Sequence, residues 1–200
     1  MARVTVGAKD KRKEEATPSY GGYDLVEVDG GRRVGLSLTT AHENTCLQTY
    51  HLELDMARSV QIHRHDIPAC IPLASLAEQK LKEDLPGFLD TLRQHLNGLA
   101  CRMHQVKLVK EQLKSVTVME TNALCSVLVL MCKVPEDEDK AILFTLLYKD
   151  PTKALPTQVT LESTDKSLPD DPQWKEAKSV FLKLPPHQTL GAMKKDGKIV

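Results

Sequence analysis

Aromatic residues are scarce in this chain, with one Trp, three Phe and four Tyr among 200 residues. That scarcity argues against a single-strand nucleic-acid binder, which stacks bases on aromatic platforms. Net charge is also missing: 27 basic residues balance 27 acidic ones. A general phosphate-backbone binder draws its affinity from excess Lys and Arg, so zero net charge argues against that class too. A chain that does not solubilise itself by self-repulsion suits life in a complex. Long apolar runs are absent. The longest, Leu124 to Cys132, is broken by Ser126 and is far too short to cross a bilayer. No secretory leader is apparent, which leaves the cytosol or the nucleus. The five cysteines, Cys46, Cys70, Cys101, Cys125 and Cys132, are odd in number and irregular in spacing. Free thiols in a reducing compartment are therefore expected.

Hydrophobic content of 41% is enough for a packed core in one large domain or two small ones. Residues 1–20 are polar and charged; Lys9-Asp10-Lys11-Arg12-Lys13 reads as a solvated tail or a nuclear import signal. Order is expected from Gly21-Gly22 onward. Tyr23 to Val28 predicts a strand, Gly30-Gly31 a hairpin turn, and Val34, Leu36 and Leu38 a second strand. His42 to Cys46 is expected to be a loop. Tyr50, Leu52, Leu54 and Met56 then alternate with polar residues, and Val60 and Ile62 continue the pattern. The expectation is a four-stranded antiparallel meander with one apolar face.

Ile67-Pro68-Ala69-Cys70-Ile71-Pro72 follows, and two prolines four apart stiffen the passage from sheet to helix. A first helical piece covers Leu73 to Leu81. Asp84 is placed to cap a second, with Pro86 in its first turn. Leu85, Phe88, Leu92, Leu96, Leu99, Met103, Val106, Val109 and Leu113 recur every three or four residues, one face of a helix about 40 Å long. Gly98 is its weak point, costing roughly 1 kcal/mol against Ala.

A second unit is expected from Val116, with strands at Val116–Glu120, Cys125–Val134, Ala141–Lys149 and Gln158–Ser163. The acidic run Glu136 to Asp139 makes a loop. Asp171 caps a helix with Pro172 first, striped by Trp174, Ala177, Phe181 and Leu184 and stopped by Pro185-Pro186. The plan repeats: meander, proline turn, helix. The central strands of this unit are apolar on both sides. Cys125, Val127, Val129 and Met131 face one way, Leu128, Leu130 and Cys132 the other. Ile142, Phe144, Leu146 and Tyr148 likewise oppose Leu143 and Leu147. A sheet facing solvent shows polar residues on one side. The spare apolar face is expected to meet a partner, with Leu128, Val129, Leu130, Leu143, Phe144 and Leu147 as the candidate partner-binding residues.

No constellation carries catalysis. His63 and His65, two apart beside Asp66 and near Cys70, supply one pair of metal ligands, whereas a structural zinc site wants two close pairs. His95 and His104 are separated by about 13 Å of helical rise. No glycine-rich phosphate loop is present. Arg93, Arg102, Lys107, Lys110 and Lys114 enrich the long helix in positive charge; the stripe reads as a phosphate-facing surface or, more ordinarily, as a solvated face.

The proline turn between meander and helix resembles that of RWD domains, with Ile67 where an aromatic residue is usual. The segments VQIHRHDIPACIPLASLAEQKL, FLDTLRQHLNGLACR and LLYKDPTKALPTQVTLE are similar to the centromere protein O family of the inner kinetochore. The similarity runs from about Tyr23 to Met193. The N-terminal coiled coil usual in that family has no counterpart in residues 1–20. The resemblance implies an α+β fold of two RWD-like units joined by a long helix: a tail over 1–20, one unit over 21–115 and another over 116–200. It further implies a nuclear, centromeric, non-enzymatic subunit. Centromere protein P is the implied heterodimer partner, and centromere proteins Q, U and R share the implied assembly. RWD domains also resemble ubiquitin-conjugating enzymes, which need a His-Pro-Asn turn before a nucleophilic cysteine. No such triplet occurs here. A generic RWD adaptor in a ubiquitin or signalling complex is the alternative.

Overall fold

A computed structural model describes residues 23–43, 45–135, 137–163 and 172–200. The basic run at Lys9–Lys13, Gly21-Gly22 and the capping role of Asp171 lie outside the described residues. Among the described residues the chain order is four strands, a helical segment, four strands and two helices. Each set of strands is a meander in sequential order, β1-β2-β3-β4 and β5-β6-β7-β8.

In the first sheet the strands are β1 (Tyr23–Val28), β2 (Arg33–His42), β3 (Thr45–Asp55) and β4 (Gln61–His65). Asp29, Gly30 and Gly31 all take positive φ in the first turn, which is why glycine is used there. β2 and β3 run further than their alternation suggested. Thr40 explains part of this: its hydroxyl donates to the Gln48 carbonyl at 2.8 Å and accepts from the Gln48 N–H at 3.1 Å. The loop expected from His42 to Cys46 is shorter than that span, since His42 closes β2 and Thr45 and Cys46 already belong to β3. Alternation holds along β3, where Tyr50, Leu52 and Leu54 are buried and His51 is exposed.

The proline-rigid segment leads into a short helix, α1 (Leu73–Leu76), extended by a π-turn at Ala77–Leu81. Asp84 caps the long helix α2 (Leu85–Gln112) as its chemistry requires, accepting the Gly87 N–H at 2.9 Å. The apolar stripe is buried at Phe88, Leu92, Leu96, Leu99, Val106, Val109 and Leu113. Met103 breaks it, being 48% exposed, and Arg102 takes the inward place at 1%. Gly98 is not a kink site. A Cβ there would lie 2.6 Å from the Pro151 carbonyl oxygen, so the glycine exists to let the 150s loop cross the helix.

The second sheet holds β5 (Thr117–Thr121), β6 (Val127–Val134), β7 (Asp137–Leu147) and β8 (Gln158–Ser163). The acidic run is mostly strand, because β7 already begins at Asp137. Two helices follow: α3 (Pro172–Phe181) and α4 (Pro186–Lys195). α4 was not expected. Pro186 does not merely stop a helix; it opens the next one at its first turn, where its missing N–H costs nothing.

Contacts divide the chain into two compact units. The first comprises residues up to Leu38 with Tyr50–Asp66; the second comprises Thr39–Thr49 with Ile67–Val200. The sequence reading ended the first unit at residue 115. The long helix instead belongs with the second sheet, because Val106, Val109 and Leu113 share its core with Leu128, Leu130, Phe144, Trp174, Phe181 and Leu190. The tip of the β2–β3 hairpin joins this unit too. Ala41 N–H donates to Asn97 at 2.9 Å, and Gln188 donates to Glu43 at 3.1 Å.

Candidate interaction surface

The β6–β7 register decides which apolar face is core. Leu128 pairs with Leu146, Leu130 with Phe144 and Cys132 with Ile142. All six are at most 1% exposed. Helices α2, α3 and α4 all contribute to the core on that side. The alternate pairs are Val127 with Leu147, Val129 with Thr145 and Met131 with Leu143. These six stand outside the core cluster with intermediate exposure. The flanking strands give this outer face a polar rim. Leu143 pairs with Glu162, Thr145 with Thr160 and Leu147 with Gln158; on the other edge Met131 pairs with Thr117 and Val129 with Glu120. An apolar stripe inside a polar border is the anatomy of a protein interface.

The six candidate partner-binding residues therefore divide. Leu128, Leu130 and Phe144 are core residues at 1%, 0% and 0% exposure, and do not reach a partner in the folded unit. Val129, Leu143 and Leu147 lie on the outer face. The sequence carried both faces as apolar, and only the position of the helices separates them.

At one end of the outer face, beyond the Val127–Leu147 pair, lies a pocket lined by Leu124, Ser126, Val127, Leu147, Tyr148 and Pro151, with Lys149 also bordering it. Arg102 ties its two loops together. Its Nε and Nη2 donate to the Leu124 carbonyl at 3.3 and 3.1 Å, and Nη1 donates to the Pro151 and Lys153 carbonyls at 2.9 and 2.7 Å. The guanidinium also lies 5.8 Å from the Tyr148 ring centroid. Burial lowers the Arg102 pKa and raises that of Tyr148.

The candidate basic stripe on α2 is not one surface. Arg102 faces inward. Arg93 pairs with Asp90 at 2.9 Å, Lys107 with Glu111 at 3.8 Å, and Lys114 donates to the Lys110 carbonyl at 3.4 Å. The residues weighed together as metal ligands have other partners: His63 of β4 faces Arg33 at 3.2 Å, while Asp66 holds His51 of β3 at 2.8 Å. Partial burial works to raise the Asp66 pKa, but its hydrogen bonds and charge contact with His51 outweigh that and hold it low. Among the described residues no group of three or more His, Cys, Asp or Glu is arranged to hold a metal. All five cysteines are free. Cys101, Cys125 and Cys132 are buried, Cys70 is half-buried, and Cys46 is exposed. Burial pushes the Cys132 thiol up to about 12, which makes it unreactive at neutral pH.

A second cluster holds the hairpin tip. The His42 ring packs edge-on against His104 at 6.1 Å, and His42 Nε2 sits 3.8 Å from a Glu43 carboxylate oxygen. His187 on α4 is 9% exposed, with its Nδ1 buried and unpartnered. Burial lowers its pKa; Glu43 opposes that, and His42 and His104 add to it.

The profile of the family described as "Cenp-O kinetochore centromere component" matches residues 22–185. The chain belongs to the Cenp-O family. Centromere protein O of Mus musculus is 32% identical over 173 residues, covering 82% of this chain and 57% of the relative. That of Bos taurus is 29% identical over 199 residues, covering 94% and 67%. That of Gallus gallus is 33% identical over 136 residues, covering 66% and 42%. The chain thus spans between 42% and 67% of the length of these relatives. As a member of the Cenp-O family it is a nuclear protein of the centromere and kinetochore. The family match takes in both sheets, α2, α3 and every outer-face residue; α4, from Pro186, lies just beyond it.

Proposed function

We propose that this chain is a non-enzymatic structural subunit of the inner kinetochore, built from two RWD-like units, that works by docking other proteins. Its direct partner is centromere protein P, bound as a heterodimer, in an assembly with centromere proteins Q, U and R. Such a subunit supports kinetochore assembly and chromosome segregation. The observation that carries this reading is the apolar outer face of the second sheet. Val127, Val129, Met131, Leu143 and Leu147 form a stripe that no folding requirement of the unit accounts for, since its core is complete on the other side. Family membership supplies the setting. The test is co-expression with centromere protein P, followed by size-exclusion chromatography with light scattering. A one-to-one complex is expected, with the lone chain self-associating at high concentration. A monodisperse monomer that ignores centromere protein P would overturn the reading.

A further inference from the structure

The outer face is small for the interface it is asked to form. Four strands about 4.8 Å apart and some seven residues long at about 3.3 Å each give a footprint of roughly 450 Å². A stable interface buries about 800 Å² on each partner. Neighbouring surface must contribute. The contiguous candidate is the pocket beyond Val127 and Leu147, since those two residues belong both to the face and to the pocket wall.

Its construction is that of a rigid receptor. One wall is the turn before β6, where Asn122 accepts the Ser126 N–H at 2.8 Å and donates to its hydroxyl at 2.8 Å. The other is the loop after β7. Tyr148 N–H donates to the Ser126 carbonyl at 2.8 Å, joining the two at their base. Arg102 then bonds a carbonyl of each wall, Leu124 and Pro151, from beneath. Gly98 lets the second loop sit against α2 closely enough for that to happen. A cleft whose walls are fixed in advance loses little entropy when filled. Apolar clefts of this kind receive the anchor residues that carry most of an interface's energy.

We propose that this pocket receives a single aliphatic or aromatic side chain from the heterodimer partner, and that Arg102 is the residue that positions its walls. The inference rests on the outer-face reading above. The experiment measures Kd for purified full chain and centromere protein P by calorimetry, with thermal melts of each variant. Leu124→Trp fills the pocket without adding charge. Lys149→Trp covers it from an exposed position on the pocket's edge whose side chain takes no part in the Arg102 contacts. Val129→Glu reports on the face. Both tryptophan variants are expected to weaken binding at least about tenfold, the loss of one anchor. Lys149→Trp is expected to leave the melting temperature unchanged. If Val129→Glu abolishes binding while Lys149→Trp leaves Kd unchanged, the pocket inference fails and the face stands. If Val129→Glu has no effect while both tryptophan variants weaken binding, the face fails and the pocket stands. If the wild-type chain does not bind centromere protein P, both fall.

Discussion

Replacing Arg102 should unfold more of this protein's stability than replacing any other cation on α2. The residue is 1% exposed and donates to three main-chain carbonyls, those of Leu124, Pro151 and Lys153. Arg102→Ala leaves these acceptors without their donor. These acceptors are part-buried, and each one left unsatisfied costs at most about 1–3 kcal/mol. The packing of the side chain against Tyr148 is lost as well, at roughly 0.5–2 kcal/mol. Removing a buried charge relieves its desolvation, the same penalty that lowers the Arg102 pKa, so the terms do not simply add. A net loss of about 3–5 kcal/mol is expected. For a chain of this size that is a fall in melting temperature of about 6–20 °C. Arg102→Lys keeps the charge but cannot spread one ammonium over three carbonyls, and should lose about half as much. Arg93→Ala is the control. Its pair with Asp90 is exposed, and such pairs contribute at most about 0.5 kcal/mol. Urea denaturation of the three variants decides the matter. An Arg102→Ala loss no larger than that of Arg93→Ala would refute the clamp.

Other consequences follow from the same contacts. Gly98→Ala should destabilise by about 1–3 kcal/mol despite alanine's better helix propensity, because its Cβ meets the Pro151 carbonyl at 2.6 Å; a gain in urea midpoint would contradict this. Leu92→Asp and Leu99→Asp should each cost several kcal/mol in thermal melts, since each puts an unpaired charge at a site no more than 1% exposed. The His187 pKa is lowered in the fold, so the folded state binds fewer protons than the unfolded one. Stability should therefore hold above the unfolded value of about 6.5 and decline as pH falls below it. His187→Phe should flatten that part of the melting-temperature profile, and an unchanged slope would exclude His187 as its source.

Most elements were legible because their residues obey simple periods. Tyr23–Val28 and Gln158–Ser163 have the limits their alternation suggested, and Asp84 caps α2 as a side-chain oxygen before a proline turn should. What escaped was set by tertiary contact. Arg102 fits the stripe perfectly well by spacing, three after Leu99 and four before Val106, yet arginine is read as a surface residue by default. The intervals were the available signal, and they were assigned to Met103 instead. α4 hid behind Pro185-Pro186, although Leu190 and Met193 at a spacing of three already marked its buried side. The two apolar faces of β6 could not be ranked from one dimension, since Leu128 and Val129 are equally apolar. Only the placement of α2, α3 and α4 on one side makes one of them core.

That same pair of neighbours offers the most direct test of the central claim. Leu128→Glu and Val129→Glu put one charge on each side of β6, at a 1% exposed core position and at a half-buried outer position. Each variant is measured for its melting temperature and for co-purification with centromere protein P. The account predicts that Leu128→Glu unfolds the chain, while Val129→Glu keeps a near-native melt and loses the complex. Val129→Glu that folds and still co-purifies, or two variants that are both simply unfolded, would contradict it.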